Sequence, residues 1–310
     1  PNETIFTMDD IPDDLVVIGG GPLGCELGQA MSRLGSTVHI IEAGPRLLRR
    51  DPQQASEKVR DAFEAEGIHV VTDATVETLT SDEAVVDADD EELRLGQDAV
   101  LLATGREPST DGLGLDEAGI ETDERGYPVH DAYLQTTNSN VYITGDLTRS
   151  YQLSHAAQHE STTIVQNLIL PYSTKITYDS MSWATYTDPE VASFGKQRGE
   201  LDEDGIRYET IPLRFDETDR AVINGDDGWG EVYVTGRTIR GGCVVSDDAS
   251  HIVQELLLAK DQDIKTTSLV SKTYPYPTVE EINKISVLHH FEDKLPSITK
   301  PLARFAYRYL

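Results

Sequence analysis

Short apolar runs separated by glycine-rich turns mark the N-terminal third of the chain. Residues 15–18 form an apolar run that ends in glycines, a helix-like segment follows, and a second apolar run covers 37–41. Apolar runs of this length between turn residues are typical of buried parallel strands. The order strand, glycine turn, helix, strand therefore predicts a βαβ unit.

The glycines after the first run follow the spacing G-x-G-x-x-G at Gly19, Gly21 and Gly24, with Pro22 and Leu23 before the last. In a dinucleotide-binding turn the first glycine permits the tight turn and the second lets backbone approach a pyrophosphate. The third lets helix and strand pack closely. The helix N-terminus then offers free N–H groups to the phosphates. The pattern predicts dinucleotide binding, with a purely structural βαβ unit as the alternative.

An acidic residue, Glu42, follows the second apolar run. Its spacing from the glycines is that of a carboxylate accepting a hydrogen bond from the adenosine ribose. Glu42 favours NAD because a carboxylate repels a 2′-phosphate. Arg46, Arg49 and Arg50 keep NADP open, since arginines suit such a phosphate.

Further elements can be expected from the pattern. A helix begins near Asp51, with Asp51 as its N-cap and Pro52 at its first position, and ends at Gly67. Strand-like runs follow, the middle three as an antiparallel meander, at 68–71, 74–79, 84–88, 91–95 and 99–103.

The pattern changes twice in the second half of the chain. Residues 107–140 are rich in turn signals, 141–146 read as a strand ending in glycine and an acid, and 154–170 read as a helix. From about Lys175, β-type runs precede a helix at 250–260, which indicates an α+β domain. Hairpin turns are expected at Asn224-Gly225 and Asp227-Gly228.

Composition narrows the function classes. The formal net charge of −29 disfavours nucleic acid and acidic membranes as partners. No apolar run approaches the ~20 residues of a membrane span. Because the acidic runs are interspersed with normal core segments, they indicate a protein adapted to high salt, or simply an acidic enzyme. Cys25 and Cys243 cannot form a disulfide framework, so a reducing cytoplasm is expected.

Several motifs, in this order, resemble those of the pyridine nucleotide–disulfide oxidoreductases. These are flavoproteins such as dihydrolipoamide dehydrogenase, glutathione reductase and mercuric reductase. The motifs are Val17–Glu26, Ala103–Pro108, Thr144–Asp146 with Gln152–Ala157, and Tyr186–Ala192. The resemblance implies an α/β chain, with a Rossmann-like NAD(P)-binding domain at 1–100 and the remainder of an FAD-binding domain at 101–174. An α+β dimerisation domain at 175–288 would follow. In the tail at 289–310, apolar residues at helical spacing predict a short amphipathic helix that docks on the body, with a membrane anchor as the alternative.

The resemblance also assigns cofactor contacts. Asp146 would bind the ribityl chain of FAD, and Glu26 would lie near the nicotinamide. The other flavin positions would be Gly105 and Gly145 in their motifs, and Leu153, Ser154, His155 and Ala156 beside the isoalloxazine ring. The expected cofactors are FAD and NAD, with NADP possible, in a homodimer formed through the C-terminal domain.

The family resemblance has two departures. The first flavin segment, with its C-x4-C redox disulfide, would precede Pro1, and neither Cys25 nor Cys243 belongs to such a pair. The family's catalytic His-Pro-x-x-x-Glu appears as Tyr276 to Glu281, so tyrosine replaces the histidine, as in mercuric reductases. Tyr276 and Glu281 are therefore the candidate catalytic residues, and an interface role for Tyr276 is the alternative.

The implied activity is hydride transfer from NAD(P)H to FAD and onward to a small-molecule disulfide or a metal ion, in a mercuric-reductase-like or dihydrolipoamide-dehydrogenase-like enzyme. No metal site is expected within this chain, and the fragment alone is expected to be inactive. Two alternatives stay open. One is a flavin transhydrogenase or NADH oxidase without a redox disulfide, and the other is a non-catalytic nucleotide-binding dimer module.

Overall fold

A four-stranded parallel sheet carries the glycine turn at the carboxyl end of its first strand in the chain. The structure, a computed structural model, describes residues 2–88 and 91–294. Its first elements are α1 (Asn2–Ile5), β1 (Asp14–Ile18), α2 (Pro22–Arg33), β2 (Thr37–Ile41), α3 (Gln53–Ala65), β3 (His69–Val71), β4 (Ala74–Leu79), β5 (Glu83–Ala88), β6 (Glu91–Gly96) and β7 (Ala99–Leu102). The parallel sheet has the strand order β3-β2-β1-β7, and the predicted βαβ unit is confirmed.

The parallel register brings the candidate site together. Ile18 pairs with Ile41 on one side and with Leu102 on the other. Gly19, Glu42 and Ala103, the next residues in each strand, therefore meet at one edge of the sheet. Ligands of open α/β sheets bind at this carboxyl edge.

The predicted meander is also confirmed. β4, β5 and β6 form an antiparallel sheet in that order. Its Ala74, Ala84 and Val86 pack on Val16 and Ile41 of the parallel sheet in a small core cluster.

The predicted N-cap of α3 is wrong. α3 begins at Gln53, with Pro52 at the cap position. The carboxylate of Asp51 is buried and accepts hydrogen bonds from Trp183 Nε1 at 3.0 Å and Ser193 Oγ at 2.7 Å. Because these donors belong to residues distant in sequence, a local capping rule could not anticipate them.

Gly105–Met181 form a compact unit of their own. The predicted helix is confirmed as α4 (Ser154–Ile169). The predicted strand at 141–146 is wrong, because its bonds return to the preceding turn: Thr136 N donates to Val141 O and Ile143 N to Leu134 O. Gly145 instead opens a 3-10 turn that ends at Thr148.

The remaining described residues, up to Thr104 and from Ser182, form the other unit, which includes the predicted α+β region. The elements from Ser182 onward are β8 (Ser182–Thr185), β9 (Glu190–Gly195), α5 (Arg198–Glu203), β10 (Glu209–Pro212), α6 (Asp219–Asn224), β11 (Trp229–Thr235), β12 (Thr238–Ser246), α7 (Ala249–Asp261), α8 (Thr266–Ser271) and α9 (Glu281–Asp293). The five strands form an antiparallel sheet in the order β10-β11-β12-β9-β8.

The two expected hairpin turns are wrong. Asn224 ends α6, and Gly225, at φ 73°, caps that helix in the left-handed conformation that glycine favours. Gly228 donates its N–H to Asp226 Oδ1 at 2.9 Å just before β11. The hairpin between β11 and β12 turns at Gly236 instead, at φ 65°.

One hydrophobic core joins the nucleotide-binding region to the antiparallel sheet. Its buried side chains include Cys25 of α2 and Phe63 of α3 together with Val191, Cys243 and Val245 of the sheet. Both cysteines are thus packing residues, as expected. No helix among residues 2–88 and 91–294 is long and apolar enough to cross a bilayer. The expected amphipathic tail helix lies outside the described residues.

Candidate nucleotide-binding site

The glycine turn is packed so closely that two of its positions exclude any larger residue. A Cβ on Gly24 would lie 1.9 Å from Gly19 O, and one on Gly19 would lie 2.6 Å from Ala103 O. Gly19 also has φ 110°. A Cβ on Gly21, in contrast, would meet no described atom within 4 Å. The turn therefore packs tightly against the sheet and leaves open space above Gly21.

The first amides of α2 lie beside that space and have no hydrogen-bond acceptor among the described residues. Gly21 is the N-cap and provides no side-chain cap, and Pro22 occupies the first position. The helical hydrogen bonds begin with Cys25 N donating to Gly21 O at 3.0 Å. The amides of Leu23 and Gly24 precede this bond, so they and the helix dipole form an anion-binding end.

Glu42 is held rigidly beside the turn. Its Oε2 accepts the N–H of Gly20 at 2.7 Å, and its Oε1 accepts that of Gly44 at 2.7 Å. Each carboxylate oxygen retains a further lone pair. The side chain is therefore oriented to accept a hydroxyl group from a ligand.

A cavity of about 600 Å³ opens at this edge of the sheet. This volume lies within the range of small-molecule sites. Apolar side chains and carboxylates share its wall with backbone of the glycine turn. The residues that line the cavity include Ile18, Ile41, Glu42, Val76, Glu77 and Ala103.

The three arginines that kept NADP open are not among the described residues lining this cavity. Arg46 donates to Asp51 O at 2.7 Å and to Arg49 O at 2.8 Å, so its guanidinium shapes its own loop. The guanidinium of Arg50 lies 6.0 Å from the ring centroid of Trp183.

Glu26, expected near the nicotinamide, connects α2 to the start of the antiparallel domain. Its Oε1 accepts the N–H of Tyr186 at 2.9 Å. One helical turn along, Gln29 Oε1 accepts the N–H of Asp188 at 2.8 Å. The helix that supplies the anion-binding end is thus anchored at both residues.

In the separate unit, the predicted flavin-motif residues lie around the turn at Gly145. Asp146 is half-exposed and forms an ion pair with Arg106, at 2.6 Å between Oδ2 and Nη1. Gly105 has φ 151° and Gly145 φ 73°, so both require glycine. The predicted positions 153–156 open α4, with Leu153 as N-cap, Ser154 and His155 exposed, and Ala156 buried.

Sequence reasoning missed Glu160, which is fully buried beneath this turn. Its carboxylate accepts hydrogen bonds from Gly145 N at 2.5 Å, Thr148 Oγ1 at 2.9 Å and Tyr178 Oη at 2.6 Å. Burial of Tyr178, together with its hydrogen bond to the Glu160 carboxylate and the charge of that carboxylate, raises the pKa of Tyr178 to about 12. The sequence did contain a signal for this buried carboxylate, since Glu160 is an acidic residue on the apolar face of α4, one helical turn after Ala156.

The two candidate catalytic residues have different partners. The Tyr276 side chain is 72% exposed, and its hydroxyl donates to Asp219 Oδ2 at 2.8 Å rather than to Glu281. This hydrogen bond and the charge of Asp219 raise the pKa of Tyr276. Glu281 begins α9, with its Oε1 3.9 Å from Lys284 Nζ. Sequence reasoning also missed Asp219.

Cys25 and Cys243 are free and buried, and burial raises the pKa of both thiols. The part of the chain that the structure describes has no cluster of three or more histidine, cysteine or acidic residues able to hold a metal ion.

Residues 2–161, more than half of the chain, match the family described as pyridine nucleotide-disulphide oxidoreductase. The chain belongs to this family. Residues 181–286 match the dimerisation domain of the same family. The family resemblance and the α/β fold class expected from the sequence are confirmed.

Similar proteins include both branches named by the resemblance. The mercuric reductase of Bacillus cereus is 31% identical over 94% of this chain and 47% of its own length. The dihydrolipoyl dehydrogenase of Chlamydia muridarum is 30% identical over 90% of this chain and 60% of its own length. The chain thus spans about half of these oxidoreductases.

Solved structures show the same fold. LpdA from Mycobacterium tuberculosis superposes with a TM-score of 0.83 at 22% identity, over 92% of this chain and 63% of its own. The Cu(II) complex of the HOCl-induced flavoprotein disulfide reductase RclA from Escherichia coli gives 0.82 at 23% identity, over 91% and 65%.

Proposed function

We propose that the chain is the nucleotide-binding and dimer-forming part of a flavin-dependent oxidoreductase that takes hydride from NADH. The observation that carries this proposal is the open glycine turn with Glu42 fixed beside it, at the mouth of a cavity of about 600 Å³. Membership of the family supports the flavin and the reaction class.

The residues around the turn fit a dinucleotide. The pyrophosphate approaches Gly21, where no Cβ blocks it, and the amides of Leu23 and Gly24 donate to its oxygens. Glu42 accepts the hydroxyls of the adenosine ribose. Ile18 and Ile41 supply apolar wall.

NAD is favoured over NADP by the carboxylate at the end of β2. Arg46 donates to the carbonyls of its own loop, and a carboxylate stands where a 2′-phosphate would lie. A phosphate there would meet the like charge of Glu42.

The residues of the flavin motif also fit their proposed role. The exposed carboxylate of Asp146 can accept a ribityl hydroxyl while Arg106 neutralises it. Glu160 fixes the backbone of Gly145, and the N-terminus of α4 presents Leu153 to Ala156. When bound, FAD supplies the redox chemistry, and the chain supplies placement and charge.

The final acceptor is a small-molecule disulfide or a metal ion held by thiols outside this chain. The exposure of Tyr276 supports a role in serving this acceptor, at the surface of a homodimer formed through the dimerisation domain. The two free cysteines support placement in the reducing cytoplasm.

Titration of the chain with NADH and with NADPH tests this function through nicotinamide fluorescence. We expect saturable binding of NADH and much weaker binding of NADPH. Glu42→Ala should weaken NADH binding by roughly tenfold, since a lost hydrogen bond to a charged group is worth about 1.5 kcal/mol or more. Equal affinities for the two nucleotides would contradict the preference, and no binding would contradict the function.

A further inference from the structure

A β-bulge in the meander contains one more acidic residue of the cavity wall. In the pairing of β4 with β5, Val76 faces Val86 and Thr78 faces Val85, so Glu77 is an extra residue without a partner across the strands. Bulges bend a strand and re-aim the side chain at the extra residue. Glu77 is exposed and lines the cavity.

The charge of this cavity is one-sided. Glu42 and Glu77 belong to its wall, and no lysine or arginine is among the described residues that line it. Glu42 is held by two backbone amides at the end of β2, whereas Glu77 comes from the opposite sheet. The two carboxylates therefore approach the cavity from different elements.

We propose that Glu77 is a specificity-determining residue, which excludes NADPH by presenting a second negative charge to its 2′-phosphate. This inference rests on the proposed function. Glu42 is fixed by two backbone amides, and a second carboxylate on the bulge makes the potential of the cavity more negative. The bulge is then part of the nucleotide site, which neither the glycine spacing nor Glu42 indicates.

The effect is electrostatic and is tested by removing charge without changing shape. We expect Glu77→Gln to lower the ratio of the NADPH dissociation constant to the NADH dissociation constant by roughly threefold to tenfold, because one negative charge that faces the 2′-phosphate is removed. Glu77→Lys should lower the ratio further. Both effects should shrink with added salt, because screening acts over about 10 Å at 0.1 M.

Glu91→Gln is the matched control. Glu91 is also an exposed carboxylate of the meander, on β6, but it does not line the cavity. The titrations use the lowest salt at which circular dichroism shows each variant folded. The proposal is supported if the ratio of the NADPH dissociation constant to the NADH dissociation constant falls in Glu77→Gln and Glu77→Lys but not in Glu91→Gln.

Two results would overturn it, and they differ. If NADH binds and the Glu77 variants keep the wild-type ratio, or match Glu91→Gln, Glu77 does not determine specificity and the proposed function stands. If the wild-type chain binds neither nucleotide, the proposed function fails and this inference fails with it.

Discussion

The buried carboxylate of Asp51 ties the nucleotide-binding region to the antiparallel sheet. Its Oδ1 alone accepts from both Trp183 Nε1 and Ser193 Oγ. Burial raises its pKa above the ordinary value of 3.8. The folded chain therefore keeps this proton to higher pH than the unfolded chain does. The contribution to stability is complete below pH 3.8 and is lost as the pH rises through the raised pKa.

Substitutions at Asp51 should separate charge from hydrogen bonding. Asp51→Asn keeps an oxygen that both donors can reach, so we expect it to lower the free energy of unfolding less than Asp51→Ala does. Because asparagine does not titrate, the stability of this variant should also depend less on pH. Asp51→Ala leaves the two donors unsatisfied and should lower the free energy of unfolding by about 1–3 kcal/mol. Urea unfolding at about pH 5 and about pH 7 measures the loss of stability in each variant and its dependence on pH. Equal losses in the two variants would contradict the role of the shared oxygen.

At the scale of elements, the local sequence pattern was sufficient to predict those helices and strands whose tertiary packing agrees with their local preference. The βαβ unit, the meander and α4 were predicted because apolar periodicity and glycine spacing are local signals. The glycine in Asn224-Gly225 led to the wrong prediction of a hairpin turn, because glycine with a positive φ occurs at the C-terminus of helices as well as in hairpins. Residues 141–146 read as a strand, yet their hydrogen bonds close a local turn.

The residues of the candidate site likewise fall into those that the sequence predicted and those that it did not. Gly19, Gly21, Gly24 and Glu42 were predicted, because the order of elements forces them to one edge of the sheet. Glu77 was not, because a bulge depends on the register of two strands and leaves no mark in the spacing of residues. Partners such as Asp219 for Tyr276 are also distant in sequence.

At the scale of the whole molecule, the net charge of −29 predicts that stability depends on salt. Self-repulsion at this charge opposes the compact state and is screened by ions. We expect the thermal midpoint to rise by several degrees between about 0.05 M and about 0.5 M NaCl. Differential scanning fluorimetry measures it, with sucrose as the uncharged control. An unchanged midpoint in NaCl would contradict adaptation to salt.

The most direct measurement is calorimetric titration of NADH into the wild-type chain, Gly21→Ala and Gly96→Ala. At both glycines an added Cβ meets no described atom within 4 Å, and the φ of Gly21 is −76°, which alanine tolerates. Both variants should fold, and only at Gly21 does the methyl group fill the space above the helix N-terminus. We predict that Gly21→Ala loses most of its NADH affinity while Gly96→Ala binds like the wild type. Undiminished binding by Gly21→Ala would show that the diphosphate does not lie on this turn.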